Sequence, residues 1–136
     1  MFSLAHIHPM VVHFPIAIIL LALLVEFLSI IIKEKSEFFK EASYYLMILA
    51  CISAIVTLLT GFFFTEVMIG EDGILREQHE RAAIITTIFI TVATILRIIF
   101  RTNGKEAQLS WIYQILLLIG SLGVIYTGNL GGNLVY

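Results

Sequence analysis

Imidazole side chains are the least expected chemistry in a chain this apolar, and there are four: His6, His8, His13 and His79. A neutral imidazole is a good nitrogen ligand. Two from different helices can hold a transition metal, or ligate haem iron from both sides. His8 precedes Pro9, a residue suited to the first turn of a helix, and His13 follows about 6–8 Å deeper along that helix. Pro15 cannot donate to the carbonyl of Val11, so the backbone beside His13 is loosened and that carbonyl needs a neighbour or water. The competing reading is an interfacial histidine touching water and lipid headgroups. That reading is the simpler one for His6 and balances the functional one at His8. It is the weaker one for His13 and His79, because an ionisable group inside a bundle is costly.

Met10 adds a thioether beside these rings, a ligand that suits Cu(I). Cys51, the single cysteine, lies within an apolar run and reads as a small buried side chain without a disulfide partner in the chain. There is no nucleophile–base constellation and no phosphate-binding glycine loop, which argues against a hydrolase or an ATPase. At a net charge of −2, nothing points to nucleic acid as a partner.

Four long apolar runs must position these groups. The 136 residues are 60% hydrophobic and 13% charged, with a mean hydropathy of +1.01, and the charges gather in short clusters between the runs. A soluble domain of this size would need more polar surface to cover its core. The runs predict spans over Pro9–Ile32, Tyr44–Phe64, Ala82–Phe100 and Trp111–Tyr126, each near the length that crosses about 30 Å of hydrocarbon. The first is too long for a signal-peptide core and has no Lys or Arg before it, so it reads as a retained span. Short connections make neighbouring helices antiparallel. The expected fold class is therefore an all-α membrane protein, one up-down-up-down bundle of four transmembrane helices over residues 1–136.

Lys33, Lys35, Lys40, Arg97, Arg101 and Lys105 flank the first and third connections, whereas the middle one has only Arg76 and Arg81 and the termini have none. The positive-inside rule then places the first and third connections in the cytoplasm and both termini outside, in a bacterial inner membrane. All four histidines and the glycine-rich end TGNLGGNLVY meet at the outer surface in that topology. This convergence is the main functional signal.

Stepping by three and four from His79 reaches Ala83, Thr87, Thr91 or Ile90, and Thr94, a small and hydroxylated stripe suited to face other helices. The same stepping from His13 reaches Ala17, Leu20 or Leu21, and Leu24. Gly61, Ala83 and Gly123 are expected at helix contacts. Glu26 and Arg97 lie about 10 and 6 Å inside the inner boundary, and an ion pair between the first and third spans is the simplest account. Glu26 nevertheless shares a face with Ala22 and Ser29, nearly opposite His13. Gly128, Gly131 and Gly132 read as turns that end the last span, or as a loop whose amides meet a ligand.

The stretch HIHPMVVHFPIA (6–17), Thr60-Gly61 ending span 2, His79 opening span 3 and TGNLGGNLVY at the end together resemble a family of small bacterial four-span proteins catalogued as a domain of unknown function. The resemblance covers essentially the whole chain. Related domains occur fused to cytochrome-c-like modules, and the layout also resembles the four-helix membrane cytochromes b. What this implies is haem b binding and electron transfer at the outer leaflet, between a quinone or other membrane partner and an outer-side cytochrome. His13 and His79 match the family's transmembrane histidines, and His8 and Pro9 its opening motif. Relatives often carry a histidine where this chain has Asn129, and some carry one where it has Tyr136.

The leading expectation is a haem-b-binding electron-transfer subunit rather than a stand-alone enzyme. His13 and His79 are the candidate axial ligands, with His8 beside them. Arg76, Arg81 or the amides near Gly131 would meet the propionates. Two alternatives stand: a metal-binding or transport protein using the histidines for copper, zinc or iron, and a cofactor-free accessory subunit of a larger membrane complex. Other membrane subunits or a second copy are the expected neighbours in the bilayer.

Overall fold

In the computed structural model, which describes residues 7–65 and 68–135, apolar sequence becomes helix throughout. A short helix α1 (Ile7–Val11) leads into α2 (His13–Ile31), followed by α3 (Ser36–Phe64), α4 (Gly70–Thr102) and α5 (Glu106–Val135). Four of these helices are long and apolar enough to cross a membrane, so the protein is an integral four-helix bundle in a lipid bilayer. Each long helix packs on two others, in the cyclic order α2, α3, α4, α5, and successive helices run antiparallel. His6 and Tyr136 lie outside the described residues.

The helices extend past the predicted spans. At 33 residues α4 is about 50 Å long by its rise, well beyond the hydrocarbon thickness. Its first turns, from Gly70 to Arg81, are polar, and helical geometry continues there because it satisfies the backbone outside the lipid as well as inside. The glycine-rich end is a correction of the same kind. Residues 127–135 are not a series of turns but the last turns of α5, and Gly128, Gly131 and Gly132 sit in ordinary helical backbone. Turn geometry does require glycine at Gly70 and Gly104, whose φ values are +73° and +67°.

The buried stripe of α2 is also not the expected one. It runs Pro15, Ile19, Ala22, Glu26, Ser29, so the face bearing Glu26 points inward and His13 stands exposed with Ala17, Leu21 and Leu24. On α4 the buried stripe is Thr86, Ile90, Ala93, Thr94 and Arg97, which shares Ile90 and Thr94 with the predicted one and leaves Ala83, Thr87 and Thr91 half-buried. Thr57 of α3 donates its hydroxyl to the Val11 carbonyl that Pro15 leaves free, at 3.5 Å. That contact closes the gap in the helix beside His13.

A polar lock holds the end of the bundle opposite the histidines. Arg97 is fully buried. Its Nη1 reaches Glu26 Oε2 at 2.9 Å and its Nε reaches Glu106 Oε1 at 3.0 Å, so the expected ion pair with Glu26 is present and has a second carboxylate. Its Nη2 donates to the Lys40 carbonyl at 2.9 Å. Glu26 also accepts from the Ser43 hydroxyl and from Gln114 Nε2, and the guanidinium lies 4.7 Å over the Tyr113 ring. All four long helices contribute, so the lock fixes their register.

Between this lock and the histidines lies a core that includes Ile19, Ala22, Met47, Ala50, Ile90, Ala93 and Leu117. Small residues let the backbones approach. A Cβ added at Gly123 would fall 2.5 Å from Thr86 Oγ1. Gly123→Leu is therefore expected to overpack the α4–α5 seam and cost about 1–3 kcal/mol or more. Ile119→Leu on the exposed face should stay within about 0.5 kcal/mol. Thermal unfolding of the two variants in one detergent compares them directly.

Candidate functional site

At the other end the four helices part around a cavity of about 580 Å³, whose walls include His8, His13 and His79. Its deepest wall residues include Ile19, eleven residues beyond His8, so it reaches roughly 16 Å along the helix axis from the histidine level.

The ring facing His79 is His8. Their centroids are 6.2 Å apart and their planes are inclined at 78°. Each ring is held by its Nδ1. That of His79 lies 3.0 Å from the Thr127 carbonyl of α5, which can only accept, so Nδ1 carries the proton. That of His8 lies 3.0 Å from Thr60 Oγ1 on α3. The Thr60 hydroxyl already donates to the Thr57 carbonyl at 2.7 Å, so it accepts from His8. In both neutral rings the proton therefore sits on Nδ1 and Nε2 keeps its lone pair. This is the arrangement in which histidines ligate metals, with the remote nitrogen free and the near one donating to an oxygen.

Glycines lie against both rings. A Cβ at Gly61 would come within 3.1 Å of His8 Cε1, and one at Gly131 within 3.0 Å of His79 Cε1. Gly61 is thus at a helix contact as expected, and Gly131 serves the site by letting His79 close on α5 rather than through a loop of free amides. Ala83 lines the cavity one turn below His79.

The remaining sequence candidates divide. His13 stands on the rim of the cavity, exposed, about one turn deeper than His8, and is not the partner of His79. Arg76 lines the cavity and donates from Nη2 to Thr65 Oγ1 at 3.1 Å, its one hydrogen bond among the described residues. Arg81 turns away to the exposed surface and pairs with Glu77 at 2.5 Å. Among the described residues no cluster of three or more His, Cys, Asp or Glu is arranged to hold a metal ion. Thr60 and Thr127 escaped attention in the sequence as ligand anchors. A threonine beside Gly61 was visible there, but its partner depended on which way His8 turned.

The sequence profile described as "Predicted membrane protein (DUF2231)" matches residues 5–136. The chain belongs to that family. The match spans the opening histidines, His79 and the glycine-rich end, so the residues of the cavity are part of the DUF2231 domain. No curated protein and no solved structure matches the chain.

Proposed function

We propose that this DUF2231 protein is a haem-b-binding electron-transfer subunit, with His8 and His79 as the axial pair. The observation that carries the reading is a pair of imidazoles lining one cavity with centroids 6.2 Å apart, each with its Nδ1 3.0 Å from an oxygen of a neighbouring helix, which assigns the free lone pair to Nε2. That separation is close enough for both imidazoles to hold one metal ion. His8 and His79 would hold the haem iron, the apolar cavity wall would cover the ring, and Arg76 would meet its carboxylates. Bound haem would supply one-electron chemistry within the membrane. The residues around it bind, orient and exclude water.

The proposed orientation puts the histidine end outside, where an outer cytochrome and a membrane quinone are the natural exchange partners. It rests on the six-to-two distribution of Lys and Arg over the connections. In a Cys51→Ser background, a membrane-impermeant thiol reagent should label Asp72→Cys on intact cells and leave Lys35→Cys unlabelled. The reverse pattern overturns the orientation.

The test of the haem reading is a visible absorption spectrum of detergent-purified protein. A sharp Soret band and split visible bands on reduction are expected. Colourless protein from cells with ample haem overturns the reading.

A further inference from the structure

The two rings of the site are mounted differently. His79 belongs to the 33-residue α4, which is clamped to α5 along its length. A Cβ on Gly120 would collide with Ile90, one on Gly123 would collide with Thr86, and the hydroxyls of Thr86 and Thr127 are 3.4 Å apart. The His79 ring itself closes on Gly131 and donates to the Thr127 carbonyl. His8 belongs to α1, a helix of five residues, too short to be stable by itself. α1 ends at Val11 and α2 begins at His13, with Val12 a turn between them. Pro15 is the cause, because it has no N–H for the Val11 carbonyl and its ring crowds that oxygen. The backbone of α1 comes close to α2 and α3 and, among the described residues, to neither α4 nor α5. Two hydroxyls of α3 hold it. Thr57 Oγ1 reaches the Val11 carbonyl at 3.5 Å, the long limit of a hydrogen bond, and Thr60 Oγ1 accepts from His8 at 3.0 Å. Moving His8 therefore breaks two hydrogen bonds, whereas moving His79 means prising α4 from α5.

We propose that α1 is a hinged arm that swings His8 out of the cavity about the Val12–Pro15 break, and that a small uncharged ligand of the diatomic-gas class takes the vacated place opposite His79. The ligand half rests on the haem reading, since iron would hold the gas; the hinge half does not. Haem iron with one axial position open takes such gases, whereas two fixed imidazoles confine it to electron transfer. The exchange is a substitution: the bond from iron to His8 Nε2 breaks, one to the gas forms, and no electron or proton changes place. The ring leaves a place beside Leu58 and Gly61 of α3, where an ion would lose its hydration without a partner and an uncharged diatomic loses little. With the arm closed in the resting protein, the apparent affinity for gas is lowered in proportion to the fraction of open arms.

The test takes the full chain, purified with haem, reduced, and mixed rapidly with carbon monoxide. A shifted Soret band is expected, at a rate that levels off at high carbon monoxide because arm opening limits it. Thr57→Val removes one of the two holding bonds and should raise the limiting rate about threefold or more. Pro15→Ala lets residue 15 donate to the Val11 carbonyl and should lower it by a similar factor. Hydrogen exchange needs no haem and should move with the rate. Amides of residues 10–14 are expected to exchange faster in the first variant and slower in the second, and those of 76–83 to stay unchanged in both. Simple fraying of a chain end would not respond in opposite directions. If one variant does not fold, the other decides alone. Coloured protein that takes up no carbon monoxide overturns the gas site and leaves the haem reading standing. Limiting rates and exchange that are equal in all three proteins overturn the hinge. Colourless protein ends the haem reading and the gas site together, and the exchange measurements then decide the hinge on their own.

Discussion

His8→Ala and His79→Ala are each expected to abolish the low-spin haem spectrum, whereas His13→Ala leaves it intact. Low-spin iron needs two strong-field axial ligands, so losing either imidazole removes the spectral type as well as affinity. Alanine at these positions removes a half-buried ring beside the cavity and not a core side chain, so the bundle should persist and the spectrum can be read on folded protein. The anchors give a graded version of the same test. Thr60→Val keeps the His8 ring but removes its Nδ1 acceptor, and loss of such a partner typically costs about 10–100-fold in affinity. A haem-loaded protein in which His13→Ala, and not His8→Ala, destroys the spectrum would reassign the axial pair.

The second large effect is expected at the opposite end. Arg97→Met leaves buried Glu26 and half-buried Glu106 without the cation they share, and removing one partner of a buried pair costs about 3–5 kcal/mol. Glu26→Gln should cost less, because Arg97 keeps Glu106 and the amide oxygen can still accept from Gln114 while its NH2 meets the Ser43 hydroxyl as a donor. Combining Arg97→Met with Glu26→Gln should be less destabilising than the sum of the two single changes, because no carboxylate of Glu26 is then left buried without its cation. Unfolding of the four proteins in a denaturing detergent series reads the coupling. Strict additivity would mean that Glu26 and Arg97 act independently despite their 2.9 Å contact.

Some of this was legible in the residues alone. The four spans follow from apolar run length, and antiparallel neighbours from short connections, because lipid leaves a backbone no partner but its own helix. Pro15 announced an unsatisfied carbonyl, and Thr57 answers it. Gly61 and Gly123 announced close approach, and His8 and Thr86 lie where a Cβ would go. The His79 stripe was readable because hydroxyl and small residues recur along one face of α4 down to Arg97.

The facing of α2 was not readable, and it decides the site. Its sequence is apolar nearly all round, so hydrophobicity carries almost no rotational information in a helix surrounded partly by lipid. The rotation is set instead by Glu26, which must reach Arg97 on α4 and Gln114 on α5, contacts 71 and 88 residues away in the chain. Satisfying that buried charge turns Ile19 and Ala22 inward and leaves His13 at the rim, and His8 stands opposite His79. The sequence by itself determined a four-helix membrane protein with its histidines gathered at one end. Only the tertiary structure decided which two of them face each other. Helix register is local, while the orientation of an apolar helix depends on the few polar contacts it makes with distant segments.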